Sequence, residues 1–128
     1  MSGVNGPGIL MLEPSSLIGG IVLATARELG LPRVHQVTSV RAAQRELVAR
    51  SFSALIVSLD EYVQATELLD QVRAQAFAVP ADIAVAVTSE PIDAAVAAQM
   101  KALQVRRVLL KPFKVREVIA TIALLGER

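Results

Sequence analysis

Four polar side chains stand where apolar runs stop. Glu13 closes ILMLE, Ser58 closes ALIVS, Thr88 ends the run IAVAVT, and Lys111 follows VLL. Two more acids, Asp60 and Glu61, come just after Ser58 in ALIVSLDEY. An ammonium and two hydroxyls brought together could hold an anion or a phosphoryl group. A carboxylate beside them could share a hard cation or neutralise the ammonium. That chemistry needs these residues at one edge of a sheet, so the elements carrying them come next.

The chain has 128 residues, which suits one domain with one core. Hydrophobic residues make up 53% and aromatics only 3%, so Ala, Val, Leu and Ile must build that core. A membrane helix needs about 18 or more apolar residues in a row. The run from Leu17 to Ala26 is too short and holds Gly19 and Gly20. Residues 1–8 carry no basic signal region and read as a flexible leader before a domain over 9–128. Cysteine is absent and His35 is the lone histidine, which excludes disulfides and disfavours a zinc site. The net charge is +1 and Trp is absent, so nucleic-acid binding is disfavoured.

Short apolar runs alternate with amphipathic ones along the whole chain. Ile9–Leu12, Ala54–Ser58 and Ile83–Val87 read as buried strands, Val105–Leu110 as a fifth strand, and Arg33–Val37 as a more polar edge strand. A first helix follows Ser15 or Ser16, with Leu17, Ile21, Leu23 and Ala24 inward, and stops at Gly30 and Pro32. A second runs from Val40 to Arg50, with Val40, Ala43, Leu47 and Val48 inward. A third spans Ala65–Gln75, with Leu68, Leu69 and Val72 inward. A fourth starts near Pro91 under a Ser89 cap and ends around Leu103. The last runs from Lys114 to Leu125, with Val115, Val118, Ile119 and Ile122 inward. Strand and helix repeated in this way predict a doubly wound parallel α/β sheet, whose sites lie at the carboxyl ends of the strands.

Those strand ends carry a family pattern. VLLKPF (Val108–Phe113), VAVTS (Val85–Ser89) and ILMLE together resemble the receiver domain of bacterial two-component response regulators, over residues 9–125. The resemblance implies a flavodoxin-like (βα)5 fold with strand order 2-1-3-4-5, a cytoplasmic setting in phosphorelay signalling, and a cis peptide between Lys111 and Pro112. In such receivers an Asp on the third strand accepts a phosphoryl group from a histidine kinase. An acidic pair on the first strand helps hold Mg²⁺, while a Lys and a Thr or Ser meet the phosphoryl oxygens.

Mapped residue by residue, the resemblance leaves Glu13, Thr88 and Lys111 in place. Pro14 stands where the second acid belongs, Ser58 where the acceptor belongs, and Val108 where an aromatic switch belongs. The loop LDEYV lacks the family's Pro and Gly. The resemblance therefore implies a degenerate pocket of Glu13, Ser58, Thr88 and Lys111, very weak Mg²⁺ binding, no cofactor and no enzyme activity. Glu13 is the remaining partner for Lys111, and Ser58 is expected to bond Lys111 or backbone. Asp60 lies two residues beyond Ser58, on the same side of an extended strand. It reads as a solvated loop acid, with a displaced phosphoacceptor as the alternative. Glu61 reads as solvated, and Thr88 as a structural hydroxyl.

A retained fold without its chemistry points to work through surfaces. In the receiver family the fourth helix, fifth strand and fifth helix commonly meet partners. Here that face carries Gln99, Lys101, Arg106, Arg107, Arg116 and Glu117. Expected partners are a histidine kinase, a regulator, an output domain or a second copy. A third possibility is a small-anion or nucleotide binder at the strand ends. It lacks a Gly-rich phosphate loop, since Gly19 and Gly20 lie within a helical pattern. Arg33, Arg41, Arg45 and Arg50 read as a solvated face with Glu46, and His35 as an edge residue.

Overall fold

The computed structural model describes residues 7–126. Most of the expected leader lies outside the described residues. Of its last two positions, Gly8 offers its carbonyl to the Ser53 amide at 2.9 Å. The elements are β1 (Ile9–Leu12), α1 (Ser16–Glu28), β2 (Val34–Val37), α2 (Val40–Ala49), β3 (Ala54–Ser58), α3 (Tyr62–Arg73), β4 (Ala84–Ser89), α4 (Ala94–Ala102), β5 (Arg107–Leu110) and α5 (Val115–Leu125). The five strands are parallel in the order β2-β1-β3-β4-β5. This is the flavodoxin-like arrangement expected from the alternation and the resemblance.

Side-chain alternation divides the core in two. Ile9, Met11, Ala54, Ile56 and Ala86 pack under Val22 and Ala26 of α1 and Val118 and Ile122 of α5. Their neighbours Leu10, Leu12, Leu55, Val57, Val85 and Val87 pack on the other face with Leu47, Leu68, Leu69, Val72 and Met100. The central strands β1 and β3 are buried at every position. Their continuous apolar runs are therefore what a sheet covered on both faces requires. At the edge, β2 buries only Val34 fully.

The helices depart from the periodic reading in four places, the first being α3, which begins at Tyr62 rather than near Ala65. In α1 the buried residues are Gly19, Val22 and Ala26, while Leu17 is 75% exposed and Ile21 is exposed too. The reason is Gln36 on β2. Its amide donates to the carbonyls of Glu13 (2.9 Å) and Ser15 (3.1 Å), and it fills the space that a Cβ at position 19 would take, about 2.0 Å from the Gln36 Cδ. Gly19 is thus a point of close approach to β2, and Leu17 and Ile21 face outward while Val22 stays in the core. Val48 of α2 is also exposed. Finally, α4 begins at Ala94 rather than near Pro91. Its first turn is capped by the Asp93 carboxylate, which accepts from the Val96 amide at 2.9 Å, and Ser89 stays in β4.

Three helices end in one motif. After α1, Gly30 (φ 68°) donates to the Arg27 carbonyl and Leu31 to the Ala26 carbonyl. After α3 and α4 the left-handed position is filled by Gln75 (φ 61°) and Gln104 (φ 59°), with equivalent bonds from Ala76 to Gln71 and from Val105 to Met100. This is the Schellman pattern, which favours glycine because a Cβ is strained there. Replacing Gln75 by glycine is expected to stabilise the fold by about 1 kcal/mol. A urea unfolding curve whose midpoint does not rise would count against the strain.

Candidate functional site at the carboxyl ends of the strands

The parity that separates the two cores also assembles the site. Ser58 and Thr88 continue the face of Ile56 and Ala86, and they are register partners across β3 and β4. Glu13 continues the parity of Ile9 and Met11, and Lys111 that of Leu109. Backbone bonds extend the sheet to these positions: Glu13 N–H to Val37 O, Leu59 N–H to Thr88 O, and Lys111 N–H to Ser89 O at 2.7 Å. One face of the sheet therefore presents Glu13, Ser58, Thr88 and Lys111 at its carboxyl edge.

Glu13 is 1% exposed, Thr88 1% and Ser58 2%. The Glu13 carboxylate accepts from the Ser15 amide through Oε2 (2.9 Å), and its Oε1 lies 4.0 Å from Lys111 Nζ with no hydrogen-bond partner. The Thr88 hydroxyl is likewise without a partner. The Ser58 hydroxyl bonds backbone and not Lys111: its Oγ accepts from the Asp60 amide at 3.2 Å.

Asp60 departs from the reading of it as a solvated acid. Its side chain is 40% exposed, but both carboxylate oxygens accept from Lys111 Nζ, at 3.0 and 3.1 Å. The contact closes the β3–α3 loop against the end of β5. Lys111 therefore has two carboxylates within reach, and the closer one comes from the loop rather than from β1. Its side chain is 15% exposed, and the two carboxylates compensate the charge of its ammonium. The Lys111–Pro112 peptide is cis. Among the described residues no group of three or more His, Cys, Asp or Glu side chains converges on one point.

Of the expected partner face, Lys101, Arg106, Arg107, Arg116 and Glu117 are exposed, as is Leu110 on β5. Gln99 differs: it is half-buried and accepts a hydrogen bond from the Tyr62 hydroxyl at the start of α3. Glu61 is exposed before α3.

Sequence reasoning missed Arg73. From α3 its guanidinium donates to four carbonyls: Leu103 (2.8 Å), Ala81 (2.8 Å), Ile83 (2.8 Å) and Gln104 (3.3 Å). It fastens the end of α4 to the start of β4. Burial lowers its pKa below the usual guanidinium range, and the nearby Asp82 opposes that shift.

No protein-family model matches the chain, and no curated protein matches it. Solved structures do. HP1043, an orphan response regulator of H. pylori, superposes with a TM-score of 0.80 at 15% identity, over 95% of this chain and 98% of that one. The receiver domain of the Francisella response regulator 1452 gives 0.78 at 16%, over 94% and 96%. The Vibrio cholerae chemotaxis protein CheY4 gives 0.78 at 18%, over 93% and 98%. At these identities the likeness is one of fold. The chain has the flavodoxin-like fold of CheY-like receiver domains, along nearly its whole length.

Proposed function

We propose that this chain is a receiver-like module of two-component signalling that has lost phosphoryl transfer to Asp and acts in the cytoplasm through protein contacts. The observation that carries the reading is the buried Ser58 hydroxyl, occupied with the Asp60 backbone at the strand end where a receiver places its acceptor. A serine hydroxyl there cannot form an acyl phosphate.

The charge arrangement supports the same reading. A divalent magnesium ion wants a near-octahedral shell of oxygens with carboxylates among them. Here Pro14 offers none, and the two acids in reach, Glu13 and Asp60, flank the Lys111 ammonium at 4.0 and 3.0 Å. A cation entering between them would have to displace a fixed positive charge. The residues do not fit a receiver's Mg²⁺, and no step is assigned to it. The exposed Lys101, Arg106, Arg107 and Arg116, set against Asp93 and Glu117, make the last helix-strand-helix face basic. It suits a protein partner with an acidic surface, such as a kinase, a regulator or an output domain.

One observation favours a second reading. Asp60 is both exposed and within 3.0 Å of Lys111, as a displaced acceptor would be. Incubation with acetyl phosphate and Mg²⁺, followed by intact mass measurement, separates the two. The expected result is no phosphoryl adduct. An adduct that is labile to hydroxylamine and disappears in Asp60→Asn would overturn the proposal and establish the alternative.

A further inference from the structure

The opposite end of the sheet holds a groove of about 500 Å³, within the size range of small-molecule sites. It lies between the last turns of α1 and the start of β2, away from Lys111 and its partners. Leu23, Ala26, Leu31 and Val34 give it an apolar floor. Arg27 and Arg33 flank that floor. Among the described residues neither guanidinium takes part in an ion pair and no acid lines the groove.

Its walls are fixed by the backbone rather than by loose side chains. Gly30 at φ 68° and the bonds Gly30 N–H to Arg27 O and Leu31 N–H to Ala26 O lock the turn, and Pro32 follows directly. Those bonds also cover two carbonyls at the end of α1 that would otherwise repel an anion. The Arg33 carbonyl is held by the Ile9 amide at 2.7 Å, which anchors the opposite wall to β1.

His35 lies on the same rim. Arg50 donates to its Nε2 (3.2 Å), so the ring there is an acceptor and the neutral imidazole carries its proton on Nδ1. Burial, then Arg50, then Arg33 push the His35 pKa below its ordinary value, against a smaller opposing pull from Glu46. The Phe52 ring packs edge-on against it. Arg27 and Arg33 make the rim positive, above an apolar floor.

We propose that this groove binds a small amphipathic organic anion: an apolar body laid along Leu23, Leu31 and Val34, with a carboxylate-type head held by Arg27 and Arg33. The site is separate from the strand-end cleft and stands whether or not the signalling reading holds. Amide chemical shifts of the full chain, titrated separately with octanoate, octanol and inorganic phosphate, test it. Saturable shifts at Leu23, Leu31 and Val34 are expected with octanoate, with much weaker ones from octanol or phosphate. Arg27→Ala/Arg33→Ala, at two exposed positions, should weaken octanoate binding about tenfold or more, as losing charge-assisted bonds implies. Octanoate should also raise the His35 pKa, because an added anion offsets Arg33 and favours the imidazolium. Equal shifts from octanol would show an apolar groove without an anion site. No saturable shift, or undiminished binding in the double variant, would overturn the proposal outright.

Discussion

Arg73→Met is expected to lower the unfolding free energy by about 2 kcal/mol, and the urea midpoint by about 1 M with an unchanged slope. Methionine keeps the apolar stem that packs beside α3 but removes every donor. Four carbonyls then lose their partner, and Ile83 and Leu103 belong to largely buried residues where water replaces it poorly. The effect should exceed that of an ordinary surface arginine because one side chain joins segments about thirty residues apart, the end of α3 to the end of α4. Arg45→Met on the exposed side of α2 is the control, expected to change stability by less than about 0.5 kcal/mol. Equal midpoints for the two variants would show that the carbonyl cluster is adequately solvated without Arg73.

Arg73 also shows what periodicity cannot reveal. β1 and β3 were legible because a strand buried on both faces must be apolar at each position, and Ile9–Leu12 and Ala54–Val57 are. Strand order followed from the resemblance and from the handedness of parallel crossovers. The inward face of α1 was misread because Gly19 and Gln36 interlock across two elements, a fit that neither segment discloses alone. The end of α3 was set at Gln75, two residues past Arg73, because Gln75 occupies a left-handed position where a sequence would advertise glycine. At the site, the identities of Glu13, Ser58, Thr88 and Lys111 could be read from strand ends. The nearer partner of Lys111 could not, since the Asp60 contact depends on how LDEYV folds back over β5. The cationic groove needed the path of the chain between α1 and β2.

Restoring the missing acids gives the sharpest test of the strand-end cleft. In Pro14→Asp/Ser58→Asp, carboxylates join Glu13 at two further positions, one of them only 2% exposed in the parent. Without metal, crowding like charges in a desolvated cleft should lower the melting temperature, with Lys111 only partly compensating. With Mg²⁺ the sign reverses, because the ion now meets three carboxylates and binds the folded state alone. At about a hundred times the dissociation constant such binding adds about 2.7 kcal/mol of stability. The parent should show no Mg²⁺-dependent rise, since its Lys111 ammonium already stands between Glu13 and Asp60, where a cation would have to displace it. Melting curves with and without Mg²⁺, run on both proteins, read the difference directly. A folded double variant indifferent to Mg²⁺ would mean that the cleft does not hold a receiver's metal geometry. An equal Mg²⁺ response in the parent would mean that its own acids suffice and that the chemistry was never lost. The expected divergence would instead locate the loss of metal binding at Pro14 and Ser58, within a scaffold that still places Glu13, Thr88 and Lys111 at one edge of the sheet.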